Sequence, residues 1–452
     1  MLLRFPDLRP ILFACLSALA LAARAEPAQP PREISPLLIG TNVWYGDPDP
    51  KVWQLTADAG TRLIRIGGHA YDKKLPDEKT LVGWIKKIRA GGAEPLLQVS
   101  QYESPEKAAR LVRDFNKRRI AGQPVLYWNI GNEPWLQNGR PDFGVMPEKI
   151  AAYFKAISAA MKAVDPKIKI FGPDECAFFP KIYEPLFGGA HDIAGKVPGK
   201  SYYYCDGLSW HRYPQTTNEP GLAEIEDFRT SIVKVRALID RVNARHGRRG
   251  SDALQWGLGE FNAMGGQQVH TFGNGQMFGA VYGYSAAYGA TYVASWSMYE
   301  NSGSRRGSDF SGFDAKDFTP RASYWHQRFY GEYFSGLTVP ARSNQENVLV
   351  FAAHDKKAGR LAVMIINLND AKSPAAPYEL RLDETGAPFR GLVLTLDLKT
   401  RNTFAHTIEP RSTQVLVFEK STLKKITYHA ADFDAGRPPT AVTQVAPFAL
   451  PR

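Results

Sequence analysis

The sequence predicts an α/β protein: a (β/α)8 TIM barrel over residues 37–336, followed by a small C-terminal β-sandwich over 337–420. Three observations predict it. From residue 37 to about 335, short apolar strands alternate with helical patterns, and eight such units in about 300 residues have the size and order of a closed barrel. After "RFYGEYFSGL" the texture changes to strands separated by turn-rich segments, with no helical stretch between them. Polar groups also recur where the apolar strands end, which is where a barrel gathers its reactive side chains.

The elements follow in order. Residues 1–25 read as a cleaved targeting segment: Arg4 and Arg9 precede the apolar run "ILFACLSALALA", and Ala23 and Ala25 offer small residues at the cleavage positions. The run is too short to span a bilayer, so an exported protein, periplasmic or extracellular, is expected without stable membrane insertion. Residues 26–36, with four prolines, form an extended lead-in able to run alongside the sandwich. The barrel strands are "LLIGTNVW" (37–44), "TRLIRIGG" (61–68), "EPLLQVSQ" (94–101) and "PVLYWNIGNE" (124–133), then "IKIFGPDE" (168–175), "DGLSWHRY" (206–213), "LQWGLGEF" (254–261) and "TYVASWSMY" (291–299). Between them, Ile150, Phe154, Ile157, Met161 and Val164 recur at spacings of four and three, the stripe of a helix facing a sheet. Leu222, Ile225, Phe228, Ile232, Val235, Ile239 and Val242 do the same, and Ser104-Pro105 is a helix cap followed by proline at the first helical position. "NVLVFAAH", "RLAVMIINL", "YELRLD", "GLVLTLDL" and "QVLVFEK" are the sandwich strands. Residues 421–452, rich in Pro, Ala and Thr, are expected to be a strand and a loose tail.

The formal charge of +11 falls to about +9 once Arg4, Arg9, Arg24 and Asp7 leave with the signal. Much of it lies in "RDFNKRR" (113–119) and "RHGRRG" (245–250), which read as solvated helix faces. The alternative is a field that draws in an anionic polymer. Nothing resembles a nucleic-acid motif, and no cofactor or metal is implied. Cys176 and Cys205 remain after cleavage and are expected to be free thiols. Cys176 follows strand five at the mouth, whereas Cys205 precedes strand six at the opposite face. Those faces lie roughly 17–20 Å apart, and a disulfide tolerates at most about 7 Å between Cα atoms.

Two strands end on carboxylates: strand four in "YWNIGNEPW", at Glu133, and strand seven in "LQWGLGEFN", at Glu260. Hydrolysis of a glycosidic bond needs one carboxylic acid to protonate the leaving oxygen and one carboxylate at the anomeric carbon. Their pKa values must differ, and separate strands can supply separate surroundings. A lone Glu at such a place could equally cap the next helix or pair with an Arg; two of them, each behind an apolar strand, favour the paired chemistry.

With "GNEP" after strand four and a second glutamate ending strand seven, the sequence resembles glycoside hydrolase clan A, the retaining (β/α)8 enzymes. The resemblance implies that Glu133 is the acid/base, that Asn132 binds the sugar's 2-hydroxyl and that Glu260 is the nucleophile. Arg65 in "LIRIGG" falls where the clan has an arginine near the nucleophile, and His211 and Tyr213 in "SWHRYP" where it has a His or Tyr contacting it. Trp296 on strand eight matches the platform beneath the reacting sugar. Asn42, at the end of strand one, and Trp135, behind Glu133, join the candidate substrate contacts; aromatic residues at strand ends offer flat faces to sugars.

Within the clan, "RIGG", "GNEP" and "SWHRY" look most like family 79, the heparanase and β-glucuronidase group, whose acidic substrates would suit the basic charge. That group follows its nucleophile with a Tyr-Gly-Gly loop that grips the uronate carboxylate. Here the run is "GEFNAMGG": Met264 replaces the tyrosine, while Gly265 and Gly266 remain as possible backbone donors. Arg305 and Arg306, in the loop after strand eight, could hold a carboxylate or sulfate. The expected activity is retaining hydrolysis of a polysaccharide or oligosaccharide, with a uronate-containing or otherwise anionic glycan as the substrate the family 79 likeness implies. The alternatives are the same chemistry on neutral glycans (cellulase- or xylanase-like) and a non-catalytic glycan-binding barrel.

Overall fold

The computed structural model describes residues 29–43, 48–214, 216, 218–300, 309–314, 316–383 and 391–448. The targeting segment, Arg305 and Arg306 lie outside the described residues. Eight parallel strands close into a barrel in chain order. They are β1 (Ile39–Val43), β2 (Leu63–Ile66), β3 (Glu94–Val99), β4 (Tyr127–Ile130), β5 (Lys169–Glu175), β6 (Gly207–Arg212), β7 (Gln255–Phe261) and β8 (Tyr292–Ser295). Each lies inside an apolar run of the sequence, because side chains on both faces of a barrel strand are buried.

The helices follow the apolar stripes. Met146–Val164 buries Ile150, Phe154, Ile157 and Met161, and Leu222–His246 buries Ile225, Phe228, Ile232, Val235, Ile239 and Val242. The Ser104 hydroxyl accepts from Lys107 N at 3.3 Å and starts the helix Pro105–Val112. No described helix is long and apolar enough to cross a membrane.

Period-two alternation decides what fills the barrel. Leu63, Leu96, Phe171, Tyr292 and Ala294 form a closed apolar layer inside it. Gly207 and Gly257 make room for that layer: a Cβ on the first would stand 2.1 Å from the Phe171 ring, and on the second 2.4 Å from Tyr292. Two residues further along β2 and β3, Arg65 and Gln98 take the same inward face and begin a polar layer above the apolar floor.

Two irregularities re-aim side chains at the mouth. Between β5 and β6 the register shifts from Pro173↔Ser209 to Glu175↔Trp210, leaving Asp174 unpaired at φ 57°. Along β7, Leu258 pairs with Trp210 but Glu260 pairs with the next residue, His211. On its other side, Leu258 and Phe261 pair with Val293 and Ser295. The extra residue on β7 is a bulge, and it turns Glu260 inward although strict alternation gives that direction to Gly259.

Beyond the helix Ala322–Tyr333 the chain builds two packed sheets. The strands are β9 (Leu337–Val339), β10 (Ala341–Ser343), β11 (Val348–Asp355), β12 (Arg360–Asn367), β13 (Ala376–Arg381), β14 (Leu392–Leu396), β15 (Thr403–Ile408), β16 (Ser412–Glu419), β17 (Thr422–His429) and β18 (Thr440–Val445). One sheet has the order β10-β14-β13-β15 and the other β18-β17-β16-β12-β11-β9, with Val363, Ile365, Leu380, Leu394 and Phe418 in the core between them. Where a strand and a tail are expected, β17 pairs with β16 from Thr422 to His429, and a further strand, β18, pairs with β17. β17 lies inside the sheet and buries Leu423, Ile426 and Tyr428, whereas the edge strand β18 is exposed along its whole length. The lead-in does run beside the sandwich: Ile34 N donates to Gly336 O at 2.8 Å and Thr338 N to Arg32 O at 2.8 Å.

The two parts share a wall, the helix Phe272–Ala287. Gly275, Gly279 and Gly283, four apart, form a face without side chains that Ala322, Met364 and Phe351 approach. Gln276 Nε2 donates to Asn367 O and Ser412 O of the sandwich, both at 3.1 Å. Within "RHGRRG", Arg248 is not a solvated charge: it is buried, 3.9 Å over the Tyr203 ring, and donates to Ala194 O and Cys205 O at 3.0 Å.

Candidate active site

The bottom of the site is Arg65. Fully buried, it spreads its guanidinium over the ends of several strands. Nη1 donates to Glu260 Oε1 at 2.8 Å and Asn42 Oδ1 at 2.9 Å. Nη2 donates to Asn132 Oδ1 at 2.8 Å and Gln98 Oε1 at 3.1 Å, and lies 3.1 Å from Asp174 Oδ2. Burial works against its charge, but Asp174 and Glu260 more than offset this and raise the Arg65 pKa. A fork of this geometry fixes its acceptors in orientation as well as charge.

Glu260 is held from three sides. Besides Arg65, the Tyr213 hydroxyl donates to Oε2 at 2.8 Å, and His211 Nδ1 lies 3.6 Å from the same oxygen. Burial pushes the Glu260 carboxyl up; His211 and Arg65 oppose that rise, Glu133 adds to it and the Tyr213 bond opposes it. His211 is buried too, which alone would lower its pKa. Glu260, Asp174 and Glu133 surround it and raise it to about 10, so the imidazole carries a proton. Gly259 makes this packing possible, since a Cβ there would stand 2.8 Å from Asp174 Oδ1 and 3.1 Å from His211 Nε2.

Glu133 lies three residues beyond β4, at φ 45° and ψ 53°, and begins the helical turn Pro134–Gln137. Its Oε1 is 3.1 Å from His211 Nδ1. The Glu133 side chain is 17% exposed against 7% for Glu260, so one carboxyl opens to solvent while the other is enclosed. One ligand atom each from Glu133, His211 and Glu260 lies within 4.8 Å of the others. The three side chains are tied into one hydrogen-bonded group, with Arg65 and Tyr213 donating to the two Glu260 oxygens and His211 Nδ1 beside Glu133 Oε1.

The other candidates separate into those that reach the mouth and those that do not. Asn132 is brought to the mouth, with Oδ1 fixed by Arg65 and no partner for its Nδ2 donor among the described residues. Asn42 is fully buried, donating to Gly259 O at 2.9 Å and accepting from Arg65. Trp296 follows β8 and is 4% exposed, with Nε1 donating to Glu300 Oε1 at 3.2 Å. Gly68 covers its rim, where a Cβ would come within 2.6 Å of the ring. Trp135 stacks on Phe143 at 4.9 Å and lies under the Arg140 guanidinium, so its ring has neighbours of its own. The Gly265 N–H donates to Ala263 O at 3.0 Å. Gly266 follows at φ 101° and opens the helical turn Gln267–His270. Cys176 and Cys205 are both free.

Four supporting residues escaped the sequence reading: Gln98, Asn129, Asp174 and Glu175. Asp174 is buried against Arg65 and accepts from Asn129 Nδ2 at 2.8 Å. Burial would raise its pKa, but Arg65 and His211 hold it below the ordinary carboxylate value. Glu175 accepts from Trp135 N at 3.1 and 3.2 Å; burial, with Glu133 nearby, pushes it up to about 8. The signal for the last two was legible, since "IFGPDE" also ends an apolar strand on carboxylates.

No protein-family model matches the chain, and no curated protein matches it. Solved structures do. A family 51 α-L-arabinofuranosidase from Thermotoga petrophila RKU-1 is similar at 15% identity and a TM-score of 0.62, over 87% of this chain and 98% of that one. A bifunctional glucanase-xylanase from a metagenome library matches at 14% identity and a TM-score of 0.59, over 86% and 97%. A family 44 xyloglucanase from Paenibacillus polymyxa matches at 12% identity and a TM-score of 0.54, over 86% and 97%. At such identities the likeness is one of fold: a (β/α)8 barrel with a trailing β domain.

Proposed function

We propose that this chain is a retaining glycoside hydrolase of clan A that cleaves a polysaccharide or oligosaccharide by double displacement. The observation that carries the reading is the spacing of the two carboxylates, whose nearest oxygens are no more than 4.8 Å apart. Retaining enzymes hold their carboxyl groups about 5–5.5 Å apart, whereas inverting ones need roughly 6.5–9.5 Å to admit a water.

In the first step a Glu260 carboxylate oxygen forms a bond to the anomeric carbon. The glycosidic C–O bond breaks, and the Glu133 carboxyl gives its proton to the departing oxygen. In the second, Glu133, now a carboxylate, takes a proton from water as the hydroxyl adds to the anomeric carbon and releases Glu260. Arg65, protonated His211 and the Tyr213 hydroxyl favour the charged form of Glu260 before attack and after release. The free Nδ2 of Asn132 is assigned to the sugar's 2-hydroxyl and Trp296 to the floor beneath the ring.

Paired variants test the assignment. Glu260→Ala abolishes turnover on every substrate, since no covalent intermediate forms. Glu133→Ala spares aryl glycosides with activated leaving groups, and external azide restores its turnover. Azide rescue of Glu260→Ala with inverted product would exchange the roles.

For the substrate, the neutral-glycan reading takes precedence over the uronate one. It is supported by the engaged Gly265 N–H, by Met264 in place of a gripping tyrosine, and by the arabinofuranosidase, glucanase-xylanase and xyloglucanase among similar folds. The basic net charge, about +9 once the signal is removed, together with Arg305 and Arg306, favours an anionic polymer and the family 79 likeness instead. A panel of aryl arabinofuranosides, xylosides, glucosides and glucuronides, read at low and high salt, decides between them. Salt-sensitive cleavage confined to the glucuronides would restore the anionic reading. Export is part of the proposal, and a mature N-terminus at Glu26 is its test.

A further inference from the structure

A short polar residue that begins a helical turn commonly bends its own side chain back onto the first free N–H groups. Glu133 holds that place before Pro134–Gln137, yet its side chain makes no such bond. Pro134 has no N–H, so the first donor of the turn is Trp135 N. That donor is already taken, by both Glu175 oxygens at 3.1 and 3.2 Å. The neighbouring β5 residue holds the other end: Glu133 N donates to Asp174 O at 2.8 Å. Together they pin a non-glycine residue at φ 45°, a conformation that persists only when its surroundings enforce it.

We infer that Glu175 is a positioning residue for Glu133: it takes over the cap of the Pro134–Gln137 turn and so leaves the Glu133 carboxyl free to face His211 and the leaving group. A chain lacking Glu175 would let Glu133 fold back onto Trp135 N–H, away from the glycosidic oxygen. Glu175 suits the task because it is buried and largely uncharged at neutral pH, so it caps without setting a second full negative charge beside Glu133. The inference rests on Glu133 being the acid/base.

The test compares Glu175→Leu with Glu175→Gln, which keeps an acceptor of the same length. Each is assayed on an activated and a poor-leaving-group aryl glycoside that the wild type hydrolyses. In Glu175→Leu, kcat on the poor leaving group falls by about 10²-fold, the scale of general-acid catalysis, while the activated substrate changes by less than about threefold and KM holds. Glu175→Gln recovers most of the loss. Equal losses on both substrates, or a Gln variant as impaired as the Leu one, would overturn the inference. Where Glu175→Leu does not accumulate as folded protein, Glu175→Asp, which withdraws the carboxyl by one methylene, gives the same readout. Glu133→Ala in parallel separates the two claims: without leaving-group dependence there, the acid/base reading itself fails.

Discussion

Replacing Tyr213 by Phe removes one hydroxyl and nothing else from the shell around Glu260. That hydroxyl donates to Glu260 Oε2 at 2.8 Å, and the phenol stays protonated because burial, with Glu260 and Glu133 close by, raises its pKa well above the ordinary value. A hydrogen bond to a charged group contributes about 1.5–3 kcal/mol. At about 1.4 kcal/mol per tenfold in rate, its loss costs roughly 10- to 150-fold in kcat/KM. The loss falls on kcat rather than KM, because the bond acts on the attacking and departing carboxylate and not on bound sugar. It also has a pH signature. The Tyr213 bond lowers the Glu260 pKa, so Tyr213→Phe raises it, and Glu260 must be ionised to attack. The acid limb of the kcat/KM profile therefore moves to higher pH. The assay is kcat/KM against pH for both proteins on one activated aryl glycoside. A loss under about threefold with an unmoved acid limb would refute the electrostatic role assigned to Tyr213.

Gly259→Ala places a Cβ 2.8 Å from Asp174 Oδ1, inside the Arg65–Asp174–His211 group. Overpacking of this kind costs about 1–3 kcal/mol, so a lower urea midpoint together with lost activity is expected, and an unchanged midpoint would mean the bulge has room to give. Glu175, raised to about 8 from 4.5, stabilises the fold fully below its unfolded value. That contribution is lost as pH rises through about 8, by linkage, so the wild type should lose melting temperature relative to Glu175→Gln between those limits. A constant difference would place the Glu175 titration elsewhere. Peptide mapping under non-reducing conditions should find Cys176 and Cys205 unlinked, as two free thiols.

The barrel was legible because each strand is apolar on both faces and each long helix repeats its stripe at helical spacing. The sugar-facing candidates were less so, and the reason is local. Glu260 follows Gly259 on a strand whose alternation aims the glycine inward; only the register shift against β6 and β8 brings the carboxylate to the mouth. Asn42 sits at a strand end as a ligand-binding residue would, but a buried arginine at the neighbouring position claims its oxygen. Asp174 and Glu175 carry the same strand-end signal as Glu133, but nothing in the sequence shows that they serve Arg65 and Trp135. In the tail, β17 buries only Leu423, Ile426 and Tyr428 among polar neighbours and the exposed β18 is held by backbone pairing, so composition alone suggested a loose end.

The most direct measurement of the central claim is the mass of the Glu260 peptide during turnover. In Glu133→Ala, with an activated aryl glycoside, attack by Glu260 proceeds while hydrolysis of the intermediate lacks its base, so the glycosyl-enzyme accumulates. Acid quenching, proteolysis and mass spectrometry should then find one glycosyl unit esterified to Glu260, removed on addition of azide. A glycosyl unit on any other residue, or none while the product appears with inverted configuration, would contradict the account.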